Sequence, residues 1–358
     1  MSQQTLLVMA GGTGGHIMPA LAVAESLRAE GWRVVWMGNE DAMEGRLVPA
    51  RGFETTWIRF GALRGKGLIR QLLLPLNLLR GFWQAASAIR RVQPDVVLGL
   101  GGYVTFPGGM MASLLGKPLV IHEQNSVAGL ANRVLAGLAD RVLTGFPAAL
   151  GEKGVWVGNP VRAEITAIEA PGKRWGQRSG PLSLLVVGGS LGAAALNELV
   201  PKALALMPAE QRPRVCHQAG EKHLANLQKN YADAAVDGQC VAFIDQMAAA
   251  YADADVVICR SGALTVAELA AAGCASVLVP FPFAVDDHQT SNAKFLSDHG
   301  AAILLPQEEM TPEILAALLG QLNRQTLLAM AEKARGLAKP NATADVATVC
   351  KDLVRSAR

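Results

Sequence analysis

The stretch LLVMAGGTGGHIMPALAVAESL, residues 6–27, decides the fold. An apolar run enters a glycine cluster, passes a histidine and continues with apolar residues at helical spacing. This is the pattern of a buried strand, a tight turn and a helix. It recurs in LSLLVVGGSLGAAALNELVPKAL, residues 182–204. Further strand-like runs are RVVWMG, DVVLGL, PLVIHE and RVLTGF in the first half, and VVICRS and SVLVPF in the second. Short, continuous apolar runs between helical patterns are expected of parallel strands covered on both faces. The chain therefore reads as α/β, with two doubly wound Rossmann-like domains that join near VGNPVRAEI. Open sheets of this kind bind ligands at the carboxyl ends of their strands, so the glycine turns are expected to line an interdomain cleft.

The 358 residues suffice for two cores, and 51% hydrophobic with 18% charged residues excludes intrinsic disorder. The net charge of +3 gives no argument for nucleic acid. Five cysteines, all in the second half and without a C-x-x-C pair, read as buried free thiols in a reducing compartment. MSQQTLL has no basic segment or cleavage site, so no secretory signal is expected there. The uncharged stretch from Val96 to Gly116 is long enough to span a bilayer, but its six glycines and Pro107 favour a strand, a turn and a helix start.

The glycines fail two familiar fingerprints. Counting from Gly12 and Gly14, a dinucleotide-binding turn needs glycine at position 17, where Ile17 stands. GALRGKG has one residue too few between its glycines for a Walker A loop, and Gly67 follows its lysine. The underlying physics survives. Gly11, Gly12, Gly14 and Gly15 let the backbone approach an anion, and the next helix aims its free N–H groups at the same place. GGSLGA and GGYVTFPGG repeat the device, although tight turns alone would explain any one of them. Asp253-x-Asp255 has the spacing of a metal-binding pair, but it precedes its strand and reads better as a solvated turn. No other His, Cys or Asp cluster has ligand spacing, so no metal is expected.

Taken in order, GGTGGH, GGYVTFPGG, HEQN, GNPVR, VVGGSLGA, CRSGALTVAE and DDHQTSNA closely resemble the MurG family of GT-B glycosyltransferases. The similarity runs from about residue 5 to about residue 340. It implies GT-B architecture, with an acceptor and membrane-docking domain over 1–161 and a UDP-GlcNAc-binding domain over 162–340. A terminal helix over 341–358 is expected to pack back on the first. The implied reaction is inverting transfer of GlcNAc from UDP-GlcNAc to the 4-hydroxyl of MurNAc in the undecaprenyl-pyrophosphoryl pentapeptide, lipid I, giving lipid II without a cofactor. The implied place is the cytoplasmic face of the inner membrane, as a peripheral protein of cell-wall synthesis.

Carried over residue by residue, the family's donor contacts fall on Thr13, Gly14, Gly15 and Asn125, then on Arg162, Ser190 and Ile244. The remainder are Ala263, Leu264, Thr265, Val266, Ala267, Glu268 and Gln289, with His288 left open as an alternative to Gln289. His16 matches the position that the family proposes for catalysis.

Each has an ordinary reading beside the functional one. Glu268, on a helix start that Ser261 would cap, can accept from two ribose hydroxyls or act as a helix-end carboxylate. Ile244 would read uracil through its backbone. Arg162 could take up charge on departing UDP or form a salt bridge between domains. Ser190, with a helix expected from Gly192, would hold the diphosphate. His16 is either a packing residue or a general base, since the positive end of a helix favours the neutral imidazole that can accept a hydroxyl proton. His122 or Glu123 could supply or orient the base instead.

Between Glu54 and Asp95 there is no acidic residue and there are seven basic ones: Arg59, Arg64, Lys66, Arg70, Arg80, Arg90 and Arg91. Leu72, Leu76, Leu79 and Trp83 follow helical spacing beside Phe82, with Pro75 expected to interrupt the helix. The alternatives are a core-facing helix with a solvated basic face, or a surface that docks onto an anionic bilayer through Arg64, Arg70 and Arg80. Of the competing functions, an NAD-dependent oxidoreductase conflicts with the broken fingerprint. A UDP-GlcNAc epimerase would need an acid pair and no basic-apolar surface, and a non-catalytic scaffold would bind nucleotide-sugar without transfer.

Overall fold

The computed structural model describes residues 3–60, 74–176, 178–189 and 192–356, so the expectations placed on Arg64, Arg70, Leu72 and Ser190 fall outside it. The chain forms two compact units, one of residues 1–162 with 339–358 and one of residues 163–338.

In the first unit the described strands are β1 (Thr5–Ala10), β2 (Arg33–Gly38), β3 (Glu54–Trp57), β4 (Val96–Gly101), β5 (Leu119–Glu123), β6 (Arg141–Thr144) and β7 (Val155–Trp156). They pair in parallel in the order β3-β2-β1-β4-β5-β6-β7. Every residue of β1 is buried because both faces of the sheet are covered. Leu6, Val8 and Ala10 pack with Ile17 and Leu21 of the helix Gly14–Ala29, while Leu7 and Met9 pack with Ala85 and Ile89 of the helix Leu74–Val92. Each fully buried aliphatic side chain contributes about 1.5–3 kcal/mol, which is why no polar alternation survives in such a strand. The terminal helix Ala342–Ser356 joins the first of these clusters through Val346, Ala347, Cys350 and Val354, with Val349 and Leu353 partly buried beside them.

The second unit has β8 (Ser183–Val187), β9 (Arg214–Gln218), β10 (Gln239–Val241), β11 (Val256–Cys259), β12 (Ser276–Leu278) and β13 (Ile303–Leu304), parallel in the order β10-β9-β8-β11-β12-β13. In both sheets the strand order reverses beside the strand that feeds a glycine turn, at β1/β4 and at β8/β11. Doubly wound sheets open a ligand crevice at that point.

Residues 96–116 form β4, a glycine turn and the helix Thr105–Leu114, and no helix among the described residues is long and apolar enough to cross a membrane. At the amino ends of the sheets, an aspartate before one strand accepts from the first N–H of its neighbour. Asp95 does so for Thr5 at 2.8 Å, Asp140 for Leu119 at 2.8 Å and Asp255 for Ser183 at 2.9 Å. This corrects the reading of Asp253-x-Asp255 as a solvated turn. Asp255 is buried and also accepts from Arg178 at 2.5 Å and Arg324 at 3.1 Å, whereas Asp253 is exposed and accepts from the Ser183 hydroxyl at 3.3 Å. All five cysteines are free thiols; Cys259, Cys274 and Cys350 are buried, and Cys216 and Cys240 are half-buried.

Candidate functional site

In the first unit, the turns after β1 and β4 are built against each other. Gly102, at φ +84°, lies so close to the Gly11 carbonyl that a Cβ there would stand 2.3 Å from its oxygen. Gly101, at φ +103°, gives the same intimacy to the His16 ring, 2.8 Å from where a Cβ would be. Only glycine fits such positions. Beneath the first turn lies the buried Glu44, whose two carboxylate oxygens accept from Gly12 N–H at 3.0 Å and Asn39 N–H at 3.1 Å. Thr105, also buried, accepts from Gly101 N–H at 3.2 Å and holds the second turn to β4.

His16 occupies the third position of the helix Gly14–Ala29, which starts after Thr13 without a side-chain cap. The ring is half-buried, and its Nδ1 lies 2.8 Å from Oε1 of the buried Gln124. Gln124 and His122 come from HEQN, at the end of β5. Glu123, from the same motif, does not face His16. Its carboxylate accepts from the backbone N–H of Asn125 and Gly129 and from the Asn132 amide, at 2.9, 3.1 and 2.9 Å, and so shapes the following loop. Asn125 is half-buried on that loop, Thr13 and Gly15 are exposed, and Arg162 is half-buried at the end of the unit's first segment.

The second unit repeats the β1 device with different chemistry. At the turn after β8, Gly189 stands at φ +81°, and its N–H donates to Gln218 Oε1 at 3.2 Å. The same amide donates back to the carbonyls of Gly189 and Ala242, each at 3.1 Å. The helix here is Ala194–Leu206, two residues later than expected, because Gly192 at φ +75° still belongs to the turn. A Cβ at Gly192 would lie 2.3 Å from the Ala219 carbonyl oxygen.

After β11, the helix Ala263–Ala272 begins behind Gly262, not behind a capping Ser261; the Ser261 hydroxyl is buried and caps nothing. The N-cap of that helix is Gly262, which has no side chain to cap the first N–H groups. Glu268 is buried on it and accepts from the Tyr251 hydroxyl at 3.2 Å. Burial and the neighbouring carboxylate hold the Tyr251 phenol far above its ordinary range, so it stays a donor. Leu264, Thr265 and Ala267 are half-buried, whereas Ala263 and Val266 are buried and present backbone only. Ile244 is half-buried in the loop after β10. Gln289 accepts from Phe281 N–H at 2.9 Å, while His288 Nδ1 is tied to the Val285 carbonyl at 2.7 Å. The loop that carries Phe281 is therefore anchored by Gln289.

On the helix Leu74–Val92, Pro75 sits in the first turn of the described segment. Leu76, Leu79 and Trp83 are 64%, 65% and 72% exposed on one face, with Arg80 exposed beside them. Phe82 departs from this group: it is half-buried, with its ring 5.9 Å from that of Phe106. Among the described residues no group of three or more His, Cys, Asp or Glu could hold a metal ion.

Glu44, Gln218, Gln124 and Tyr251 were not among the residues expected from sequence. Gln124 alone carried a signal, since it lies inside HEQN.

Two Rossmann-like units, each with a glycine turn and uncapped helix starts at its switch point, define the GT-B class of glycosyltransferases. Residues 6–144 match the glycosyltransferase family 28 N-terminal domain, and residues 183–347 match its C-terminal domain. The chain is 68% identical over 350 residues to a UDP-N-acetylglucosamine–N-acetylmuramyl-(pentapeptide) pyrophosphoryl-undecaprenol N-acetylglucosamine transferase of Azoarcus sp. strain BH72, covering 98% of each chain. It has the same identity and coverage with the enzyme of that name from Aromatoleum aromaticum. Among solved structures, Acinetobacter baumannii MurG is 44% identical with a TM-score of 0.85, over 98% of this chain and 99% of that one. The chain belongs to the MurG family, within glycosyltransferase family 28.

Proposed function

We propose that this protein transfers GlcNAc from UDP-GlcNAc, with inversion, to the 4-hydroxyl of MurNAc in undecaprenyl-pyrophosphoryl-MurNAc-pentapeptide. The observation that carries the reading is 68% identity, over 98% of the chain, with enzymes named for that transfer. The second unit holds the donor. Glu268 accepts from ribose hydroxyls, its other duty being the Tyr251 bond, and the helix starts near Gly192 and Ala263 offer N–H groups to the diphosphate. Thr265 and Gln289 contact the nucleotide and sugar, and the Ile244 backbone reads uracil.

In the reaction, the acceptor O4 forms a bond to C1 of GlcNAc as the bond from C1 to the β-phosphate oxygen breaks. The bonding pair leaves with UDP, and the O4 proton passes to His16. Backbone dipoles and the Arg162 guanidinium take up the charge that grows on UDP. The exposed Leu76, Leu79 and Trp83, flanked by Arg80, rest on an anionic membrane at its cytoplasmic face, each surface arginine adding about 1 kcal/mol.

Incubation with UDP-GlcNAc and a lipid I analogue is expected to release UDP only when the acceptor is present. Release without acceptor, or none with both, contradicts the transfer. His16→Ala is expected to lower kcat on the order of 10²-fold at unchanged KM; lost affinity at unchanged kcat would make His16 a positioning residue. Arg80→Glu with Leu79→Ser is expected to weaken binding to phosphatidylglycerol vesicles without altering UDP affinity, and unchanged vesicle binding removes the docking face.

A further inference from the structure

We infer that a chain of four groups, Gly158 C=O, His122, Gln124 and His16, locks His16 in the tautomer that carries its proton on Nδ1 and leaves Nε2 bare, making Gln124 and His122 positioning residues for the base. This rests on the proposed role of His16 and deepens it.

Backbone carbonyls, which can only accept, determine each protonation state in turn. His122 Nε2 lies 2.9 Å from the Gly158 carbonyl oxygen, so Nε2 is the protonated nitrogen and donates. His122 Nδ1 is then bare and must accept. Its neighbour at 3.0 Å is Gln124 Nε2, and that same nitrogen lies 2.9 Å from the His122 carbonyl oxygen. An amide flipped the other way would set its oxygen against that carbonyl and against the bare imidazole nitrogen. Nitrogen therefore belongs there, with both its hydrogens used. Gln124 Oε1 is left facing His16 Nδ1 at 2.8 Å, an acceptor that requires a proton on Nδ1. In the neutral ring Nε2 then has the free lone pair, the feature a general base needs.

The surroundings hold the chain of bonds still. His122 and Gln124 are 0% and 1% exposed, so water does not compete for their hydrogen bonds. Asn159 donates to the Gln124 carbonyl at 3.0 Å, and Gly158 stands at φ +88°, which aims its carbonyl at His122. Gly101 leaves room for the His16 ring close against the backbone. This gives HEQN and GNP a common task. Burial pushes the His122 imidazole down to about 4, so it stays neutral, as the relay demands.

The charged groups nearby are committed elsewhere. Glu123 accepts from Asn125, Gly129 and Asn132, Glu44 from Gly12 and Asn39, and the Lys339 ammonium lies over the Trp156 ring at 4.0 Å. His16 is thus oriented by a neutral amide, not by a carboxylate. Only the proton taken at Nε2 moves during transfer; the one on Nδ1 stays.

The test uses the full chain labelled with ¹⁵N-histidine at neutral pH and without substrate. The His16 signals are assigned by their loss in His16→Gln. Wild-type His16 is expected to show a protonated Nδ1 and a bare Nε2, and Gln124→Leu is expected to shift it toward the Nε2-protonated form that free imidazole prefers. A bare Nδ1 in the wild type, or an unchanged tautomer in Gln124→Leu, overturns the inference.

In transfer assays Gln124→Leu is expected to lower kcat about ten-fold or more, with KM for UDP-GlcNAc within about two-fold of wild type. Gln124→Glu keeps an oxygen opposite Nδ1 and adds a charge that stabilises the imidazolium, so the acid limb of kcat should move to higher pH. Parallel loss of kcat and affinity, with no shift of that limb, makes Gln124 merely structural and overturns the inference. The tautomer measurement does not depend on turnover: a chain inactive with lipid I but showing the Nδ1-protonated ring refutes the transferase reading and supports the relay.

Discussion

The two glycine turns that looked alike in sequence are pinned by different groups. The turn after β1 rests on the Glu44 carboxylate, which reaches over from the segment after β2. The turn after β8 rests on the Gln218 amide, at the end of the neighbouring β9. In each case a side chain beside the central strand takes one turn N–H out of competition. The charge differs, however. Glu44 puts a buried negative group directly under Gly11 and Gly12, whereas Gln218 is neutral and returns hydrogens to two carbonyls. On the chemistry of these two side chains, a carboxylate under the first turn suits a diphosphate less well than the neutral amide under the second, in line with the proposed donor site in the second unit.

The strongest way to break this comparison is to give the second turn the charge of the first. Gln218→Glu would set a carboxylate against the carbonyls of Gly189 and Ala242. A cost of about 4 kcal/mol in stability is expected by denaturant unfolding, together with at least about ten-fold weaker UDP binding by calorimetry. Wild-type UDP affinity in that variant would detach the β8 turn from the donor.

Acid sharpens the comparison, because each unit buries one neutral imidazole. Burial pushes His122 of the first unit down to about 4 and His217 of the second down to about 3. Both titrate near 6.5 when unfolded. Between 6.5 and these lowered values the unfolded chain binds protons that the folded chain refuses, so stability falls as pH falls and the loss is complete below the folded values. Denaturant titrations at pH 5 and pH 7 should differ by about 2 kcal/mol for each histidine. Equal stability at the two pH values would place water or a cation-stabilising partner beside the rings.

The smallest effect is expected from the converse exchange. Glu44→Gln leaves one of the two backbone N–H donors facing an amide NH₂, at a cost of about 1.5 kcal/mol in thermal unfolding. UDP affinity should not change. A weaker UDP complex would mean that the first turn also serves the donor.

The strands were legible because a parallel strand covered on both sides has little choice but a continuous apolar run. RVVWMG, DVVLGL and VVICRS all became central strands. Helix starts were less legible. The sequence pattern makes Gly192 a first helical residue and Ser261 a cap, yet the glycine stays in the turn and the serine is buried behind Gly262. Glycine permits both a turn and a helix entry, so local sequence could not place the boundary. Phe82 adjoins Trp83 in sequence, but successive helical positions point about 100° apart, and Phe82 turns to Phe106.

Sequence alone determined the layered α/β class and the turns where backbone can approach a ligand, because apolar period and glycine content are local properties; the strand order, and with it the two switch points, came from the tertiary structure. Tertiary structure decided what lies under each turn and which nitrogen of His16 is bare. The partners responsible are 32 residues apart for Gly12 and Glu44, 29 for Gly189 and Gln218, and 108 for His16 and Gln124. A hydrogen bond across such a separation leaves no periodic trace in the chain. It exists only once parallel strands have brought their carboxyl ends side by side.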